Sequence, residues 1–298
     1  MVTLVFDGKM GASGDMIIAA LLGVGANAEV LIPIEEGLGV KYDIEELVEQ
    51  GIAAKRVRVT REGKIIEGER SSKKLKDIIK VVESLSISEK VASDAVGIFQ
   101  LLGEAEAEVH GKKLEEIHLH EVGADDAIAD IVGACVLMED LGVKSVIVPP
   151  VSVGEGTVKM QHGEYPIPAP AVLALAKNAT WSIRGGPVER ELLTPTGAAI
   201  LVYFGEGVER IPSLDVMRTG YGMGHHKIEG VANVLRVISG EMKNLEKDEI
   251  VLLETNIDDV SPEVIGNLYE VLVEEGARDV TVIPAMMKKS RPGHIVKV

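Results

Sequence analysis

The sequence predicts an α/β fold of mixed α+β character, and three observations carry that prediction. Strand-like apolar runs alternate with stretches of helical periodicity along most of the chain. A polar stretch, GEMKNLEKDE, interrupts the alternation and closes a larger N-terminal domain, residues 1–243. Beyond it, residues 244–298 carry a strand–helix–strand unit that reads as a partial C-terminal domain. A length of 298 residues fits two domains.

The chain opens on the strand TLVFD, and DMIIAALLGVG follows as a helix closed by glycine. VKYDIEELVEQGIAAKRVRVT ends in an alternating strand, while its first half fits strand and helix equally. KKLKDIIKVVESL and SEKVASDAVGIFQLLGEAEAEVHG read as helices. The acidic last turn of the second opposes the helix dipole, which hints at a task for Glu104, Glu108 or His110; solvation of a surface helix explains it as well. IHLHEVG reads as extended, DDAIADIVGACVLMEDLG as a helix and SVIVPPVSVG as a strand. PIPAPAV leads into another helix, and in TPTGAAILVYFG Thr194 is the N-cap with Pro195 at the first helical position. GYGMGHH is expected as a glycine-rich loop and NVLRVISG as a strand. Past the linker come the strand EIVLLETNIDD, the helix SPEVIGNLYEVLVEEGA, the strand RDVTVIPAMM, a basic loop KKSRPGH and the apolar end IVKV. So small a unit cannot bury a core alone, and IVKV is expected as an exposed strand edge that pairs with another chain.

Composition narrows the function. The chain is 46% hydrophobic and holds 47 acids against 31 bases, a net charge of −16. Such a surface repels nucleic acid and suits cations or small molecules. No apolar run reaches the roughly 18 residues of a membrane span, and no signal-like segment opens the chain, so the sequence predicts a cytoplasmic protein without a membrane partner. The single cysteine, Cys135, lies in the apolar run IVGACVLM, which rules out a disulfide framework or a thiolate cluster and fits a small core residue.

Three constellations carry chemistry. FDGKMGASGD sets glycines at 8, 11 and 14 between Asp7 and Asp15. It fits neither the P-loop nor the dinucleotide spacing. Two readings follow: Ser13 or Asp15 caps the next helix while Asp7 braces the turn, or the two carboxylates hold a cation as site residues. In HLHEVGADDAIAD, His118 and His120 share a face if extended, and Asp126 and Asp130 share a face one helical turn apart. Two imidazoles and two carboxylates suit a divalent transition metal such as nickel, zinc or copper, against a plainer reading of surface histidines and a capping Asp125. Asp130 is the telling member, because Ile128, Ile131 and Val132 surround it. Lys288, Lys289 and Arg291 in KKSRPG are unusual in so acidic a chain and could grip a polyphosphate. His162, the pair His225 and His226, and the cluster Asn256, Asp258 and Asp259 carry weaker signals, part of the last explained by Ser261 capping the helix at Pro262.

Taken together, FDGKMGASGDM, HLHEVGADDAIADIVGA, HGEYPIPAPA, LLTPTGAAIL, GYGMG, NVLRV and ETNIDDVSPEVIGNLYEVLVEEGARDVTVIPAMMKKSRPG resemble the LarC family, the nickel-insertion proteins of lactate racemase cofactor synthesis. The resemblance runs in order from residue 4 to the end. It implies a lyase-type, nickel-inserting enzyme that metallates a pyridinium bisthiocarboxylate mononucleotide through a carbon–nickel bond, consuming CTP with magnesium or manganese. It also implies that the C-terminal unit is the first half of a small ferredoxin-like, CTP-binding domain. A second copy, or a separately made C-terminal chain, would complete it. A non-catalytic nickel carrier and a magnesium-dependent phosphohydrolase using Asp7 and Asp15 stay open beside it.

Overall fold

A computed structural model describes residues 2–66, 73–119, 123–160, 163–242 and 250–298. The chain divides into two compact units, Met1–Lys243 and Asn244–Val298. The first unit begins with β1 (Val2–Asp7), α1 (Gly14–Gly23) and α2 (Ile32–Leu38). A hairpin of β2 (Lys41–Glu49) and β3 (Ile52–Arg61) follows, with the short β4 (Lys64–Ile65) folded onto its end. Next come β5 (Lys73–Lys74), α3 (Leu75–Ser84), α4 (Glu89–His110), β6 (His118–Leu119) and α5 (Asp125–Asp140). The middle holds β7 (Val143–Val148), β8 (Val151–Ser152), the hairpin of β9 (Thr157–Met160) and β10 (Gly163–Pro166), then α6 (Pro170–Ala176) and β11 (Ile183–Arg184). It closes with α7 (Pro195–Phe204), β12 (Gly205–Gly207), β13 (Leu214–Met223) and β14 (Val234–Met242).

A mixed sheet in the order β12-β7-β1-β14-β13-β3-β2, with β4 on β3, organises this unit. β1 runs parallel to β7 and antiparallel to β14. Alternation along β1 separates its two faces: Leu4 and Phe6 join the main core, while Val5 joins Ile147 and Ile238 on the far face. Helix α1 packs across β3 and β13 and against α5, and α4 carries α6 and α7. Close approach fixes this layer. A Cβ on Gly222 of β13 would come within 2.8 Å of the Ala20 nitrogen in α1, so only glycine lets helix and sheet meet there.

Most elements form as expected, and the differences have identifiable causes. The ambiguous stretch before Gln50 is strand, because Gln50 and Gly51 both take positive φ, 51° and 78°, and close a two-residue hairpin. GYGMG is strand as far as Met223, not loop, since the small faces of Gly220 and Gly222 fit under α1. The paired prolines split SVIVPPVSVG into β7 and β8. In α4, Glu108 pairs with Lys177 and His110 lies 3.4 Å from Glu106, so surface ion pairing accounts for the acidic turn. Cys135 is 1% exposed, and burial pushes its thiol well above the usual range, as suits a core residue.

The second unit comprises β15 (Glu254–Ile257), α8 (Pro262–Glu274), β16 (Thr281–Met287) and β17 (Arg291–Lys297). Its antiparallel sheet has the order β15-β17-β16. The expected strand EIVLLETNIDD shortens to its second half. The expectation that IVKV forms an exposed edge is overturned: Ile295 and Val296 pair with β15 on one side and β16 on the other. The basic segment is a tight reversal rather than an open loop, with Lys289 and Ser290 at φ 59° and 55°, and it returns the chain at once into the sheet. The edges are β15 and β16. Among the described residues of α8 only Ile265 is buried, and Val264, Tyr269, Val271 and Val273 stay exposed.

Candidate functional site

The loop after β1 is held by backbone bonds on both sides. The Gly11 N–H donates to the Gly8 carbonyl at 3.0 Å, the Ala12 N–H to the Leu192 carbonyl at 3.0 Å, and the Thr194 N–H to the Ala12 carbonyl at 3.1 Å. Gly11 takes φ 77°, and a Cβ there would come within 2.6 Å of the Leu192 Cβ. This lacing brings the start of α7 beside the start of α1. Thr194 caps α7, its hydroxyl accepting from the Gly197 N–H at 3.2 Å. Ser13 sits at the N-cap position of α1 but makes no capping bond; its hydroxyl donates to Asp15 instead.

Helix α5 closes the third side. A Cβ on Gly14 would come within 2.6 Å of the Asp130 Cβ, so α1 and α5 meet at that glycine. A cavity of about 190 Å³ opens here, lined by Asp15, Asp126, Asp130 and His225 together with Ser13, Thr194 and Thr196. The N-terminal turns of α1, α5 and α7 all border it, and their positive ends offset the mutual repulsion of three carboxylates. Asp126 and Asp130 line it from one face of α5, as their spacing predicts. His225 Nε2 lies 3.1 Å from an Asp15 carboxylate oxygen, and Arg58 Nε donates to His225 Nδ1 at 3.4 Å. The imidazole therefore lies between the Arg58 guanidinium and the Asp15 carboxylate.

The surroundings are pinned. Tyr42 reaches from β2 to donate to the Ala129 carbonyl at 2.6 Å. Burial first, then the nearby Asp130 and Glu35 carboxylates, push its hydroxyl well above the ordinary range, so it remains a donor. Asp125 faces away from the cavity and binds Arg61 at 2.6 Å and Lys73. Burial opposes its charge, yet the bonds from Lys73 and Arg61 hold its carboxyl below the usual range.

Other sequence-predicted site residues lie elsewhere. Asp7 is 4% exposed and pairs with Arg236, its cross-strand neighbour on β14. Its countercharge is thus supplied, and the pairing supports the bracing reading of Asp7. His118 is half-buried in β6, in register with Lys74, and does not line the cavity. His120 and His162 fall outside the described residues. Among the described residues, no group of three or more His, Cys, Asp and Glu is arranged to hold a metal ion. In the second unit, Lys288 and Lys289 form the tight turn, and an Arg291 guanidinium nitrogen lies 3.9 Å from Asp258 at the end of β15.

Comparison with known proteins decides the family. The family model described as nickel insertion protein matches residues 4–298. This chain belongs to the nickel insertion protein family. It is 43% identical to a nickel insertion protein of Methanococcoides burtonii over 100% of this chain and 74% of that one. It is 42% identical, over 98% of this chain and 76% of the relative, to the pyridinium-3,5-bisthiocarboxylic acid mononucleotide nickel insertion protein of Clostridium kluyveri. No solved structure matches the chain. Among the described residues, no helix is long and apolar enough to cross a membrane.

Of the sequence-predicted site residues, Asp15, Asp126 and Asp130 line this cavity, and the sequence did not show how they come together. Arg58 and Tyr42 come from β3 and β2 and His225 from the segment after β13, and nothing local in the sequence ties them to Asp15 or Asp130. Thr194 was legible as a cap, and the bond from its N–H to the Ala12 carbonyl is what holds it at the cavity.

Proposed function

We propose that the chain inserts nickel into pyridinium-3,5-bisthiocarboxylic acid mononucleotide, with CTP as co-substrate and magnesium or manganese as its counter-ion. One observation carries this reading: in a nickel insertion family chain, Asp15, Asp126, Asp130 and His225 converge on a single cavity bordered by three helix N-termini. Asp126 and Asp130, one turn apart on α5, are the nickel-receiving carboxylates; His118, which stands outside this cavity, and His120 are candidate ligands for nickel on its way there. Carboxylate oxygen and imidazole nitrogen both accept nickel(II) in transit, and the sulfur donors of the product would then draw it away. Metallation of a ring carbon breaks one C–H bond, whose electron pair becomes the carbon–nickel bond. The proton leaves to a base, and Asp15, coupled to His225, is the acceptor this site offers. Lys288, Lys289 and Arg291 in the second unit are the candidate CTP-triphosphate contacts.

The test is cofactor formation by this chain from nickel and the bisthiocarboxylate mononucleotide, with and without CTP. Metallated product that depends on CTP supports the whole reading. Product without CTP removes the nucleotide role. Stoichiometric nickel binding with no product returns the chain to a carrier.

A further inference from the structure

The loop FDGKMGASGD has two ends, and the cavity engages only the one that carries Asp15. At its other end Gly8 is pinned to β8: the Ser152 N–H donates to the Gly8 carbonyl at 2.9 Å, and a Cβ on Gly8 would come within 2.9 Å of Val151 Cγ1. Strand β11 lies beside β8 with Arg184 in register with Ser152. Arg184 Nε donates to the Ser152 hydroxyl at 3.1 Å, and the Val153 N–H donates to the Arg184 carbonyl at 3.0 Å. Ser152 is 1% exposed, so the anchor of this guanidinium is a fixed interior group. The Arg184 side chain otherwise faces solvent, and among the described residues no carboxylate pairs with it. Lys9, the residue after Gly8, is likewise exposed and without an acidic partner among the described residues. In a chain with a net charge of −16, Lys9 follows Gly8 directly and Arg184 is linked to the Gly8 carbonyl through Ser152, so both cations belong to this end of the loop.

A guanidinium held by one N–H keeps its remaining donors in a preset fork, the geometry that matches a phosphate. We propose that Arg184, oriented by Ser152 and joined by Lys9, binds the phosphate of the mononucleotide substrate. This rests on the nickel-insertion reading for the identity of that substrate. The loop from Gly8 to Ser13 then links a cationic end, which takes the phosphate, to the carboxylate end, which takes the metal. Placing the phosphate beside Asp15, Asp126 and Asp130 would set like charges against one another, and the bipolar loop avoids it.

The probes are nicotinic acid mononucleotide, a pyridinium ring on ribose 5′-phosphate, and its phosphate-free riboside, titrated calorimetrically into the full chain without nickel. The mononucleotide should bind about tenfold more tightly than the riboside, or better, as one or two charge-assisted hydrogen bonds imply. Arg184→Ala should erase most of that preference and leave riboside affinity unchanged. Arg184→Lys should restore part of it, and Lys9→Ala should reduce it by a smaller factor. Equal binding of both probes by the wild type, or an unchanged preference in Arg184→Ala, overturns the proposal. A chain that keeps the Arg184-dependent preference yet forms no metallated product upholds the phosphate site and refutes the insertion reading instead.

Discussion

Asp7 shows how a conspicuous acid can be explained by one partner. With 4% exposure and the Arg236 guanidinium across the strand pair, it is a buried ion pair with one half-exposed member. Removing the cation leaves a buried carboxylate uncompensated, which costs several kcal/mol in dry interiors and less where water reaches the site. Arg236→Ala should therefore lower unfolding stability by about 2–3 kcal/mol in urea titrations, more than Asp7→Asn does. Asp125 gives a pH signature. Its folded-state pKa lies below the unfolded one, so its contribution is present above about pH 4 and is lost as pH falls through the lower folded value. Between about pH 5 and pH 2.5 the wild type should lose more melting temperature than Asp125→Asn, and parallel curves would deny Asp125 that role.

Glycine contacts decide how elements meet. Gly14 lets the first turn of α1 rest against Asp130 on α5, and a methyl group there needs space the Asp130 Cβ already holds. Gly14→Ala should push the two helices apart, costing about 1–3 kcal/mol of stability and, on the proposed reading, most nickel-insertion activity. At the start of α7, Thr194→Ala removes a cap and should cost about 1 kcal/mol, read as a shift in denaturant midpoint at constant slope. Much at this scale was legible: apart from the short α2, which the sequence reading did not pick out, the helices carry periodicity, caps or closing glycines. The β2 strand was not, because EELVEQ fits both periods and only the turn at Gln50-Gly51 and pairing with β3 settle it. GYGMG misled because glycines that signal loops in sequence here serve close packing under α1.

At the scale of the molecule, the second unit stands out for the apolar surface it leaves uncovered. Ile250, Val251 and Leu252 are 77%, 79% and 69% exposed, β15 is an edge strand, and α8 presents further apolar side chains. Contiguous apolar patches beside an open strand edge favour pairing with another polypeptide. Light scattering should detect concentration-dependent association that, on the proposed reading, grows with CTP, and replacing Ile250 and Leu252 with lysine should reduce it while circular dichroism stays unchanged. A chain that remains monomeric at all concentrations would rule this pairing out.

Local pattern alone determined the α/β alternation, the capped starts of α7 and α8 and the spacing of the two carboxylates on α5, since each depends on a few neighbouring residues. The cavity needed the tertiary structure. His225 reaches Asp15 from 210 positions along the chain, Arg58 grips it from β3, and Thr194 arrives through a backbone ladder to Ala12. The same holds for the end of the chain, where a two-residue left-handed reversal turned an expected edge into the central strand. Charges and hydrogen-bonding groups act over a few ångströms of space rather than along the sequence, so which of them meet was decided by the packing of α1, α5 and α7 on the sheet.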